Sequence, residues 1–242
     1  MLLVSVDGFQ EQNDAIRGKG TFEKIIKNVK LIRDLQQSGE YKGKISLSLV
    51  LSDELIPNLY DFAEFCENIG GLDSLYFVYP WYIPQELADN MDAHYKQHFS
   101  WLSRLPLQPK ASWHSYTFHV NAERLEKLRQ QMAKLKTRAW NMRLRFQPAL
   151  ETDEFEAFIT GDAQPGQRRS QCFSISTRMD VLADGSVSSC KLYPEFTVGN
   201  LYQEGVLDIW HGEKFNWVCE IVVSKGLNPI CSKCVLLYLH GN

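Results

Sequence analysis

No apolar run in this 242-residue chain approaches the ~20 residues that a bilayer-spanning helix needs; stretches such as Val235–Leu239 fall far short. A basic excess is missing too. Lys plus Arg is 26 against 29 for Asp plus Glu, a net charge of −3. That balance attracts no phosphate backbone, so neither nucleic acid nor a membrane is an expected partner. The N-terminus, MLLVSVDGF, has no basic stretch ahead of its apolar residues and meets an acid at Asp7, unlike a secretory signal. The expected compartment is the reducing cytoplasm, where cysteines read as metal ligands, reactive thiols or core residues before disulfides. Compositional bias is absent as well. With 44% hydrophobic and 23% charged residues, the chain is globular and long enough to bury a core without disulfide staples.

The first third alternates strand and helix patterns. Leu2–Val6 reads as a strand ended by Asp7-Gly8. Thr21 opens a helix to about Ser38, with Phe22, Ile25, Ile26, Val29 and Ile32 at helical spacing. Ile45–Leu51 is a second strand, Ser52 caps a helix to Ile69, and Ser74–Tyr79 is a third strand stopped by Pro80. Strands separated by helices of this length predict parallel βαβ units. Too few units follow to close an eight-stranded barrel, which takes ~250 residues. Helices are expected over Gln85–Leu102 and from Ala122, capped by Asn121, to about Lys136. Strands are expected over 112–120 and Asn141–Phe146. The polar segment Asp162–Gln171 marks a boundary, giving domains 1–161 and 162–242.

Five of the six cysteines lie in the last 71 residues. Cys172 precedes a hairpin expected over Met179–Cys190, which turns at Asp184-Gly185. Short helices follow at Val206–Trp210 and Glu213–Val223. Cys231 and Cys234 form a Cys-x-x-Cys turn behind Pro229. Two such pairs can converge on one centre, and four thiolates suit tetrahedral zinc or a four-iron cluster. The bland alternatives are buried free thiols or a redox pair at Cys231 and Cys234. Cys219 and Cys66 sit among apolar helix residues and read as core. The aromatic loop Tyr79–Pro84 reads first as loop packing, and the charges between Lys127 and Arg138 as a solvated helix face. His114 and His119, five apart, do not share one face of a strand, so no joint metal site is expected.

Two stretches resemble one known family. Ser5, Asp7 and Gly8, then Asn13, Asp14, Arg17 and Gly18, then Gly20, Thr21 and Phe22 occur in order. They look like the segment around the fourth strand of radical S-adenosylmethionine (SAM) enzymes that carry an auxiliary-cluster domain. Cys172, Asp184-Gly185, Cys190, Val198–Leu201, Ile209-Trp210, Cys231 and Cys234 are similar to the SPASM/twitch auxiliary domain of that superfamily. The short ligand set resembles the twitch form, with one cluster.

The resemblance implies a fold and a chemistry. The fold is α/β: an incomplete parallel (β/α) barrel followed by a small cysteine-rich domain of hairpin and helices. Cys172, Cys190, Cys231 and Cys234 would ligate an auxiliary [4Fe–4S] cluster, with zinc the alternative occupant. Ser5, Asp7 and Arg17 would bind the SAM cofactor, an arginine suiting a carboxylate by two parallel hydrogen bonds. The substrate would be a peptide or small molecule, and the electron donor a flavodoxin or ferredoxin. In complete members a 5′-deoxyadenosyl radical abstracts a substrate hydrogen, the cofactors carrying the hard chemistry. The family's Cys-x-x-x-Cys-x-x-Cys loop for the SAM-cleaving cluster does not occur in this sequence. SAM and that second cluster are therefore expected only in a longer form. Two rivals are a zinc-held interaction or regulatory module and a non-catalytic single-cluster electron carrier.

Overall fold

The computed structural model describes residues 1–102, 110–151, 153–162 and 166–241. Of the predicted boundary segment, residues 163–165 lie outside that set. In chain order the elements are β1 (Leu2–Ser5), α1 (Gln10–Arg17), α2 (Thr21–Gln37), β2 (Ile45–Val50), α3 (Leu59–Ile69), β3 (Leu72–Val78), α4 (Gln85–His98), α5 (Leu125–Leu135), β4 (Arg143–Gln147) and α6 (Glu154–Thr160). Then come α7 (Ser174–Thr177), β5 (Asp180–Val181), β6 (Ser186–Ser188), β7 (Thr197–Asn200), α8 (Val206–Trp210), α9 (Glu213–Lys225) and α10 (Val235–His240). Among the described residues no helix is long and apolar enough to cross a membrane.

The chain forms two compact units. One comprises Met1–Pro80 and His119–Leu150, the other Trp81–Phe118 and Glu151–Asn242. This differs from a division at residue 162, because the apolar face of α4 (Leu87, Met91, Tyr95) joins the same core as Tyr193, Phe196 and Val218. Sequence periodicity shows that a face is apolar, not which core receives it.

In the first unit β1-β2-β3-β4 form a parallel sheet in sequential order, an α/β arrangement. For parallel strands in sequential order, the general right-handedness of crossovers puts the connecting helices on one face. The register explains the asymmetry of the strands. Leu47, Leu75 and Leu144 share one face with Leu49, Phe77 and Phe146, and the β2 and β3 members are fully buried. Ser5, Ser48, Tyr76 and Arg145 line up across the other face and are more exposed. Phe9, Phe62, Phe65 and Phe22 interlock where α1, α2 and α3 meet.

Several expectations need correction. The second helix starts at Leu59, because the chain first makes a short 3-10 turn, Ile56–Asn58, around Pro57. Residues 112–120 form no strand. Ser112–Ser115 is a 3-10 turn, since Trp113 and Tyr116 pack inward instead of alternating. Residues 10–17, given no element by the sequence reading, form helix α1. Helix α6 has no counterpart in the sequence reading.

Polar residues organise the sheet's first turn. Asp14 accepts hydrogen bonds from the backbone of Gly20 (2.7 Å) and Phe22 (2.8 Å) and from the Thr21 hydroxyl (3.2 Å). It thus caps α2 from a distance, and those donors hold its carboxyl below the usual aspartate range. A group whose folded pKa is depressed stabilises above its unfolded value of ~3.9 and loses that contribution as pH falls through the folded value. Asp14→Asn is expected to lower the urea midpoint at neutral pH. Its deficit relative to wild type should shrink at pH 2–3; a constant deficit would show that the charge is not responsible.

Candidate metal centre

The second unit brings all four sequence-predicted cysteines to the wall of one cavity. Cys172, Cys190, Cys231 and Cys234 line it together with Ile175, Tyr193, Phe196, Val222, Asn228 and Leu237. Local chemistry sets each thiol. Cys172 bridges to Gly241 just ahead of α7. Cys190 follows β6, where the Ser188 hydroxyl donates to the Cys190 carbonyl (2.8 Å) and accepts from its N–H (3.2 Å). The β5–β6 hairpin turns at Asp184-Gly185 as expected, with Gly185 at φ 76°, a left-handed value that favours glycine. Cys231 opens a 3-10 turn, and Cys234 sits immediately before α10, its N–H donating to the Cys231 carbonyl (3.0 Å).

Burial dominates the thiols' protonation. It pushes Cys190 up to about 12 and Cys234 up to about 11, and raises Cys231 well above its ordinary value. Neighbouring thiols add to the rise at all three, while backbone N–H groups of Leu192 and Tyr193 oppose it at Cys190, and those of Leu236 and Leu237 at Cys234. Four thiolates in this apolar enclosure would repel one another, so a cationic centre suits the set and its binding would release protons.

Spacing speaks to the kind of centre. Among the described residues no three of these sulfurs lie all within 4.8 Å of one another. Zinc bound by thiolates at ~2.3 Å in a tetrahedron holds its sulfurs about 3.8 Å apart. A four-iron cluster is a larger body and sets its cysteines farther off. The cavity, about 40 Å³, also exceeds the ~10–15 Å³ that one water occupies on that measure. The donor set therefore fits an iron–sulfur cluster.

Sequence reasoning missed three features of the second unit. Lys233, inside the Cys-x-x-Cys turn, is 1% exposed; its Nζ donates to the Phe158 carbonyl (2.8 Å), and burial pulls its pKa down to about 8. A charged residue in a tight turn reads as solvated, and only α6 reveals its anchor. Glu195 is buried and accepts from the Ser112 N–H (2.5 Å) and hydroxyl (2.7 Å). His114 Nε2 pairs with Asp92 Oδ2 (2.9 Å), Asp89 standing close by, while Asp92 Oδ1 accepts from Trp113 Nε1 (2.8 Å). Hydrogen bonding accounts for that group without an ion. Cys219 donates to the Ile175 carbonyl (3.0 Å), and Cys66 is fully buried in α3, both in keeping with core roles.

The other proposed site residues lie in the first unit. Asp7 is buried, its carboxylate accepting from Arg17 Nε (2.6 Å) and its N–H donating to Asn13 Oδ1 (3.1 Å). Buried Asn13 in turn donates to Thr21 Oγ1 (3.0 Å). Asp7 and Arg17 thus come together, with Arg17 engaged through its Nε. Ser5 is exposed at the end of β1, in register with Ser48.

Four convergent cysteines around a buried cavity define an iron–sulfur or metal-binding protein. Residues 172–235, which carry all four, match the SPASM family, an iron-sulfur cluster-binding domain. No curated protein matches the chain. The match covers this stretch of the chain alone, and it supports an iron–sulfur-binding role for the segment that carries the four cysteines.

Proposed function

We propose that the chain is the auxiliary-cluster part of a radical SAM enzyme, which oxidises or otherwise modifies a peptide or small molecule by radical chemistry. The observation that carries this reading is the convergence of Cys172, Cys190, Cys231 and Cys234 on one cavity within the SPASM match. When bound, a [4Fe–4S] cluster would supply one-electron transfer. Four protein thiolates would complete its ligation, so the chain's contribution is to hold it, exclude water and set its potential. Ile175, Val222 and Leu237 supply the apolar wall.

The parallel sheet is then part of a (β/α) barrel, whose reaction space lies at the C-terminal strand ends. Ser5 stands at such an end, and the Arg17 guanidinium, tied to Asp7 by Nε, keeps its terminal nitrogens for a carboxylate. These residues are the proposed SAM contacts. A flavodoxin or ferredoxin is the proposed electron donor, and the cytoplasm the proposed compartment. The zinc-module reading is weaker, because the segment that carries the four cysteines matches an iron-sulfur cluster-binding family.

The test is SAM cleavage. Loaded with iron and sulfide and reduced with dithionite, this chain should form no 5′-deoxyadenosine. A polypeptide extended upstream through a Cys-x-x-x-Cys-x-x-Cys segment should form it. An upstream reading frame without that segment would overturn the enzyme reading and leave a single-cluster electron carrier.

A further inference from the structure

We propose that Asn228, oriented by His94, donates a hydrogen bond to the sulfur of the cluster held by the four cysteines and thereby raises its reduction potential. The inference rests on the cluster reading above. Asn228 lies in the loop between α9 and the Cys-x-x-Cys turn, is buried and lines the thiol cavity. Its carbonyl accepts the Cys231 N–H (2.9 Å), which ties its position to that ligand. Its side-chain Oδ1 lies 3.0 Å from His94 Nε2, on α4.

An asparagine amide has one accepting and one donating end. With Oδ1 taken by the His94 N–H, the donating Nδ2 is the end left for the cavity, and no protein partner for it occurs among the described residues. The reverse orientation would set a carbonyl oxygen against four thiolates, an electrostatic penalty in an apolar enclosure. His94 is suited to the task. Burial and the neighbouring His98 ring (4.7 Å) hold its pKa below the ordinary value, so at neutral pH it is an uncharged imidazole able to donate from Nε2. The Phe99 ring also packs near it, centroid to centroid 5.9 Å. Hydrogen bonds to cluster sulfurs are among the main determinants of reduction potential: they stabilise the more negative, reduced state.

The experiment is an EPR-monitored potentiometric titration of the reconstituted full chain and its variants. Asn228→Ala should keep its iron and sulfide and shift the midpoint to a more negative potential. His94→Ala should shift it in the same direction by less, and should add nothing in the Asn228→Ala background, since the histidine acts through the amide. His94→Gln, which keeps a donor, should recover part of the shift. An iron-replete Asn228→Ala chain with an unchanged midpoint would overturn the proposal. Should that variant lose iron, an unchanged midpoint in iron-replete His94→Ala would overturn it equally, because His94 stands behind Asn228 and does not line the thiol cavity. A wild-type chain that takes up zinc but neither iron nor sulfide would overturn the cluster reading itself, which metal analysis distinguishes.

Discussion

Anaerobically purified wild-type chain is expected to carry about four irons and four sulfides, the stoichiometry of one cubane cluster. The Cys231→Ala/Cys234→Ala double variant should lose nearly all of both. Two of four thiolates would be gone, and those two are neighbours on one turn, so no rearrangement of the remaining pair, Cys172 and Cys190, could restore four-point ligation. Retained folding can be checked independently. The apolar lining contributed by Phe196, Val222 and Leu237 is untouched, so far-ultraviolet circular dichroism should change little while the visible absorption of the cluster disappears. One zinc per chain with no sulfide would contradict the cluster reading and favour a structural zinc module. Full iron content in the double variant would move the site away from these cysteines altogether.

Trp113→Ala is expected to be the most destabilising single change, about 3–5 kcal/mol by the usual cost of truncating a buried aromatic. Trp113 is fully buried, its ring centroid 5.5 Å from Tyr95 and 6.1 Å from Tyr193, and its Nε1 donates to Asp92. Tyr193 is also a wall of the thiol cavity. The packing defect would reach the metal centre through that contact, and iron should be lost faster on gel filtration. Trp113→Phe fills most of the volume and gives up only the hydrogen bond to a partly solvated carboxylate, so it should cost about 0.5–1.5 kcal/mol. Denaturant unfolding of both variants under anaerobic conditions checks this; a cost below 1 kcal/mol for the alanine would show that the second unit does not depend on this ring.

How far the fold was legible follows from the range of the interactions. The βα alternation, the hairpin at Asp184-Gly185 and the helices α8 and α9 rest on periods and turn chemistry within a few residues, and they fell where the sequence put them. The four cysteines were also legible as a candidate set, since a Cys-x-x-Cys turn and a hairpin ended by a cysteine are local patterns, and all four line one cavity. Elements shaped by packing were not. The segment 112–120, expected as a strand, instead opens with a turn, in which Trp113 and Tyr116 both pack against Tyr193.

By itself the sequence determined an α/β first part and singled out four cysteines in the second part, which line one cavity. Only the tertiary structure decided what surrounds those thiols. His94 meets Asn228 across 134 positions, Lys233 meets Phe158 across 75, and Glu195 meets Ser112 across 83. None of these pairs has a local signature, because a buried polar group needs a partner but its own sequence does not say from which element the partner comes. Burial then fixes their importance: away from water an unmet donor or acceptor costs ~1–3 kcal/mol, so the chain folds to the one arrangement in which these distant groups meet.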